Sequence, residues 1–252
     1  TNVKISVGPP FFNIVIIPLV VPFMFLMAIG PKFGWIKLQS KIFNKILLLA
    51  LCAIIINLFI FYFFGKYSFL SNLIFITAIF LILHTILDIK KFINIKNKTE
   101  LPRIISHLGF GMLVFFIGIN HQFSLEEDFN LKVGEIKKTN SHEINFEEIN
   151  IKENKNYKAV IGNFKLTNLQ NNLVQYLNPE IRIYSNPKTL TYEAAIKTKI
   201  TSDLYLTMSN VSRSDYYNIK FQKKPFMIWI WISALMIALG GFVQLTFKKN
   251  ED

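Results

Sequence analysis

Five apolar stretches dominate the chain. Residues 13–30, 43–64, 69–87, 104–123 and 226–247 hold no Lys, Arg, Asp or Glu, apart from Lys45 near the start of the second. Each reaches the roughly 18 to 20 residues that cross a bilayer core, so the pattern predicts five spans. The run Ile5-Ser6-Val7-Gly8-Pro9-Pro10-Phe11-Phe12 before the first stretch reads as an interfacial loop or re-entrant segment. Its two prolines remove backbone donors, and Gly8 loosens the chain. Between the fourth and fifth stretches the period changes. Residues 125–222 carry no long apolar run and alternate instead, with Ile144 and Phe146, Ile149 and Ile151, Tyr157, Ala159 and Ile161, Ile181 and Ile183, and Ile219 and Phe221 two apart. Period two predicts strands with one buried face, broken at Asn178-Pro179 and Asn186-Pro187. Residues 191–196 read as a short helical turn.

The predicted fold class is therefore an integral membrane α-helical protein of about five spans with an inserted external β-rich domain, a small sandwich or barrel. Its expected divisions are residues 1–124 with four spans, the β-domain 125–222, and residues 223–252 with the fifth span and a short inner tail.

Charge sets the orientation. The chain of 252 residues has 28 basic and 16 acidic side chains, for a net charge of +12. Residues 125–222 hold 13 basic and 12 acidic groups, so nearly all of the excess flanks the spans and nucleic acid is excluded as a partner. Lys32, Lys37, Lys41 and Lys45 fill the first connection, Lys90, Lys91, Lys96, Lys98 and Arg103 the third, and Lys248 and Lys249 follow the last span, whereas Lys66 stands alone in the second. Basic residues collect on the side where a membrane protein is made. The N-terminus is thus expected outside, the C-terminus inside and residues 125–222 outside. The single cysteine, Cys52, and the lack of any C-x-x-C exclude a thiol pair or covalently attached haem in this chain.

No catalytic motif of a soluble enzyme is present, and no catalytic residue is assigned. The histidines carry more information, since an imidazole within a membrane is costly unless paired, wet or ligating. His107 lies one turn into the fourth span with Gly111 and Gly118 on the same stripe. Two readings are open: a flat macrocycle lies along the stripe with the imidazole on its iron, or the glycines admit another helix. His84, near the inner end of the third span, reads as an interfacial side chain reaching the headgroups or as a second ligand. His121 and His142 show no metal spacing. Glu126, Glu127 and Asp128 read as a solvated strand entry, Trp229 and Trp231 as an aromatic belt, and Ala234, Ala238 and Gly241 as the packed face of the fifth span. Without an inverted repeat, a transporter half is disfavoured.

Several motifs in order, Ile5 to Asn13, Ser106-His107-Leu108-Gly109-Phe110, Ser124-Leu125-Glu126-Glu127-Asp128, Thr191-Tyr192-Glu193-Ala194-Ala195-Ile196, Asp203-Leu204-Tyr205, Lys224 to Trp231 and Ala238-Leu239-Gly240-Gly241, resemble the C-terminal region of the CcmF family. That is the haem lyase component of the cytochrome c maturation system. The resemblance implies a part in haem reduction and in attachment of haem to the C-x-x-C-H motif of apocytochrome c. It maps the family's haem-b axial histidine onto His107, which would bind the haem iron, and expects the second axial ligand from outside this chain. Implied partners are the N-terminal CcmF part, the other maturation subunits including the haem chaperone and the apocytochrome-binding subunit, apocytochrome c and membrane lipid. The implied place is a bacterial or mitochondrial inner membrane, with the β-domain on the outer side. The family's Trp-rich external motif and second haem ligand lie upstream of the matched region. The chain is therefore expected to be a C-terminal fragment or split-gene product, a haem lyase component inactive alone. A cofactor-free scaffold subunit of the same complex is the alternative.

Overall fold

The computed structural model describes residues 9–33, 40–64, 69–95, 98–211 and 214–248. The start of the opening run, Trp35, and Lys37, Lys66, Lys96 and Lys249 lie outside the described residues. Two compact units emerge, one of the helices and one spanning Phe123–Ile228.

Five helices are long and apolar enough to cross a membrane. They are α1 (Pro9–Ile29), α2 (Ser40–Phe64), α3 (Phe69–Ile95), α4 (Leu101–Phe123) and α5 (Met227–Lys248). Helix α1 begins at Pro9, inside the run expected to be a loop. The expectation misjudged the prolines: the first-turn N–H groups of a helix have no intrahelical acceptor, so a proline there loses nothing. Pro18 and Pro22 fall within the same helix, which a membrane helix tolerates.

Helix α3 is the hub of the helical unit, since it touches three of the other four. Phe80 stacks on Phe25 of α1 with centroids 5.3 Å apart, and Phe75 meets Phe61 of α2 and Phe115 of α4 edge-on. Asn57 of α2 donates to Asn72 of α3 at 2.7 Å, and Ser71 of α3 donates to Gln122 of α4 at 3.2 Å. Polar pairs of this kind fix helix register where lipid offers no competing partner.

The second unit is a two-sheet sandwich. One sheet has the order β1-β10-β9-β8 and the other β2-β3-β4-β6-β7, with β5 added to β4. The strands are β1 (Leu125–Leu131), β2 (Ile136–Lys138), β3 (His142–Glu153), β4 (Tyr157–Asn168), β5 (Val174–Leu177), β6 (Glu180–Ser185), β7 (Lys188–Glu193), β8 (Ala195–Lys197), β9 (Ser202–Asn210) and β10 (Tyr217–Pro225). Among the described residues every strand pairing is antiparallel. Inward side chains of both sheets form one core: Leu204, Leu206, Ile219 and Phe221 from the first meet Ile144, Phe146, Phe164 and Leu166 from the second. Phe146 and Phe164 stack with centroids 4.2 Å apart. Gly134, at φ +87°, supplies the left-handed turn between β1 and β2 that a side chain would strain.

The alternation holds where both neighbours are regular and fails at defects. A register shift between Phe146 and Glu148 ends the buried phase of β3, leaving Ile151 exposed. In β4 the buried set is Ala159, then Gly162, Phe164 and Leu166, so the expected Ile161 falls on the other phase. Ile181 is buried, but Ile183 is exposed. The helical turn expected at residues 191–196 is not there: β7 and β8 occupy that stretch, pairing with β6 and β9. Cross-strand hydrogen bonding outweighs the helix-forming Glu-Ala-Ala sequence.

Candidate functional site

Helix α4 is wedged between α3 and α5 by absent side chains. A Cβ on Gly111 would lie 2.9 Å from Ile82 of α3, and one on Gly118 would lie 3.1 Å from the Phe75 ring. On the α5 side, a Cβ on Gly109 would meet the Ile237 nitrogen and the Ser233 carbonyl at 3.0 Å. The stripe beside His107 is thus closed by α3 and offers no bed for a flat ring. Of the two readings open from sequence, the structure supports close helix approach. His107 itself is half-buried and has no hydrogen-bond partner among the described residues. Its imidazole keeps a lone pair for an outside group.

On α5 the packed face is one residue out of step with expectation. Ser233 and Gly240 are the buried pair, whereas Ala234, Ala238 and Gly241 are exposed. A Cβ on Gly240 would collide with Ser106 Oγ and lie 2.9 Å from the Pro102 carbonyl of α4; nothing lies within 4 Å of Gly241. The sequence offers two small-residue rows, and the one containing Gly240 allows the closer backbone contact. Trp229 stacks on Phe116 of α4 at 5.6 Å, while Trp231 is 65% exposed.

His84 is not the surface side chain that was expected. It is 1% exposed, its ring edge-on to Phe80 at 4.4 Å, and neither nitrogen has a hydrogen-bond partner. No hydrogen bond or ring contact joins it to His107 among the described residues. His84 lines a cavity of about 540 Å³ with Lys32, Asp88 and Arg103. Asp88 accepts from Lys32 at 2.8 Å and from Arg103 at 3.1 Å, and Arg103 also pairs with Glu100. Sequence reasoning took these bases as orientation signals only and passed over Asp88. The signal was a lone carboxylate one turn after a histidine, at the end of an apolar window.

The remaining candidates resolve into structure. His121 is exposed on the wall of an apolar groove of about 440 Å³. His142 is 1% exposed in the sandwich core, its Nδ1 2.9 Å from Ser141 Oγ and its ring edge-on to Phe221. Burial, reinforced by Lys223 and Lys199, pushes its pKa down to about 4. In the acidic cluster, Glu126 pairs with Lys220 and accepts from Gln222 at 2.6 Å, and Glu127 accepts from the Asn140 backbone. The bond from Lys220 holds Glu126 below the usual carboxylate range, with burial opposing it. No group of three or more His, Cys, Asp or Glu that could hold a metal occurs among the described residues.

Comparison with known proteins bears on both units. Residues 122–225 match the family model described as the CcmF C-terminal beta-sandwich. "Cytochrome c-type biogenesis protein CcmF" of Escherichia coli (strain K12) is 26% identical over 96% of this chain and 38% of its own length. The protein of the same name from Haemophilus influenzae is 27% identical over 98% of this chain and 40% of its length. A solved structure titled "Cytochrome c Heme Lyase CcmF" superimposes with a TM-score of 0.76 at 17% identity, over 94% of this chain and 40% of that one. The chain therefore spans about two fifths of the length of these relatives, and it covers both the sandwich and the flanking helices. It is an integral membrane protein whose sandwich matches the CcmF C-terminal model and which is similar to CcmF proteins along nearly its whole length.

Proposed function

We propose that this chain is the C-terminal part of a CcmF-like cytochrome c haem lyase subunit, taking part in reduction of haem and its attachment to the C-x-x-C-H motif of apocytochrome c. In this reading His107 is one axial ligand of a b-type haem, and a residue outside this chain is the other. The observation that carries it is the half-buried imidazole of His107, without a hydrogen-bond partner, on a helix locked between α3 and α5. A neutral imidazole so placed fits a ligand role. Its second nitrogen is available for the hydrogen bond that sets ligand basicity. The glycine stripe does not fit as a resting surface, so the chain contributes a ligand rather than a complete pocket. When bound, the haem would supply one-electron chemistry. The rigid α3–α4–α5 packing would hold the imidazole in place, and the sandwich would dock partner subunits.

The same reading puts residues 125–222 on the outer side of a bacterial or mitochondrial inner membrane. The Lys-rich first and third connections and the basic tail after α5 support this. Its partners are the N-terminal CcmF part, the haem chaperone, the apocytochrome-binding subunit and apocytochrome c. The closed stripe at Gly111 and Gly118 favours one alternative, a cofactor-free scaffold.

Absorption spectra of the assembled complex separate the two. His107→Ala should abolish the low-spin b-type spectrum while membrane insertion stays intact, and His84→Ala should leave the spectrum in place. A spectrum that survives His107→Ala removes the ligand assignment and leaves the scaffold reading.

A further inference from the structure

The cavity beside His84 has no part in the reading above. It lies where α1, α2, α3 and α4 present their Lys-rich ends, and its wall combines three kinds of surface. The first is charge: Lys32, Lys45, Lys91 and Arg103 oppose only Asp88 and Glu100. Lys32 and Arg103 are spent on those two carboxylates, while Lys45 and Lys91 pair with no acid among the described residues. The rim therefore carries two uncompensated positive charges. The second is the buried imidazole of His84, with one donor and one acceptor nitrogen and no partner for either. Such a group carries the full cost of its lost hydration until something hydrogen-bonds to it. The third is apolar: Ile42, Ile46 and Phe92 face the same space.

We infer that this cavity binds a phosphate group, with a ring nitrogen of His84 donating to a phosphate oxygen and with Lys45 and Lys91 balancing the charge. A basic pocket between spans at their lysine-rich end suits an anionic headgroup. The Ile42, Ile46 and Phe92 wall suits the glycerol and first methylenes of a phospholipid. Inorganic phosphate presents the same kind of oxygens without the apolar part, and the experiment distinguishes the two sources. The cavity volume of about 540 Å³ accommodates either.

The test uses the whole chain in its membrane assembly, extracted in mild detergent. Native mass spectrometry reads retained lipid, and thermal stability is titrated with phosphatidylglycerol, phosphatidylcholine or inorganic phosphate. Phosphatidylglycerol should remain bound and raise the melting midpoint, and phosphatidylcholine should not. Lys45→Gln with Lys91→Gln changes only exposed side chains, so the fold is kept. It should weaken binding by about fivefold for each lysine and about 25-fold for both. His84→Leu should lower affinity further, and the paired control Lys132→Gln with Lys158→Gln should have no effect. If millimolar inorganic phosphate reproduces the stabilisation and displaces the lipid, the site stands and its ligand comes from solution. Equal binding of phosphatidylcholine and phosphatidylglycerol, or unchanged binding in the Lys45/Lys91 double variant, overturns the inference.

Discussion

Acidification should destabilise the β-sandwich through one residue, His142. Its ring is 1% exposed against Phe221, and burial with Lys223 and Lys199 nearby sets its pKa at about 4 against an ordinary 6.5. The sign follows from which state binds the proton. Between pH 6.5 and pH 4 the unfolded chain takes up a proton that the folded sandwich refuses, so stability falls as pH falls through that window and is complete above it. A displacement of that size corresponds to about 2 kcal/mol lost between pH 7 and pH 5 and about 3 kcal/mol by pH 4. Pulse proteolysis of the whole chain in detergent, with cuts mapped to residues 123–228, measures the loss. His142→Leu removes the titrating group while filling similar volume. Carboxylates such as Glu126 also contribute to acid sensitivity, but they titrate alike in both proteins, so the difference between the two pH profiles isolates His142. The variant should lose about 2 kcal/mol less than the parent between pH 7 and pH 5. Parallel profiles would refute the reasoning.

Three glycine substitutions test the packing of the two units. Gly240→Val drives a side chain into Ser106 and the Pro102 carbonyl and should lower the thermal midpoint of the helical unit, whereas Gly241→Val, with open space around it, should leave the midpoint unchanged; differential scanning fluorimetry of the detergent-solubilised chain reads both. Gly162→Ala places a Cβ 2.7 Å from the Phe164 ring and 2.8 Å from Met208 Sδ, and should destabilise the sandwich by about 1–3 kcal/mol in the same proteolysis assay, with the helical unit unaffected.

The span count was legible because a membrane helix is written in composition: about 20 residues without charge admit few alternatives. The first helix turn was not, since Pro9 and Pro10 read as breakers until their position at N1 and beyond makes their missing donors harmless. In the sandwich, period two identified Ile144, Phe146, Ile219 and Phe221 as core, because those positions sit opposite regular neighbours. Ile151 and Ile161 follow the same pattern and lie off the core. The shift at Phe146/Glu148 and the phase change before Gly162 come from pairing with another strand, and no local alternation encodes them.

The site was less legible than the fold for a related reason. Helical spacing tells which residues share a face; it does not tell what covers that face. His107, Gly111 and Gly118 do share a stripe, but whether the gap admits a macrocycle or a helix depends on Ile82 and Phe75, which lie 29 and 43 residues away from the glycines that face them, separations no periodicity reports as contacts. Ala234, Ala238 and Gly241 likewise form a proper small-residue row, and the choice of the neighbouring Ser233 and Gly240 row was made by Ser106 and Pro102 on α4. Asp88 escaped notice because one carboxylate at the end of an apolar window has no motif. Its meaning appears only when α1 and α4 bring Lys32 and Arg103 to the same oxygens, and that convergence also leaves His84 buried with both nitrogens unpaired. A histidine hidden among apolar neighbours is stable only while something answers its ring nitrogens. For that reason the unpaired imidazole, rather than the glycine stripe, is the stronger structural pointer to a ligand in this chain.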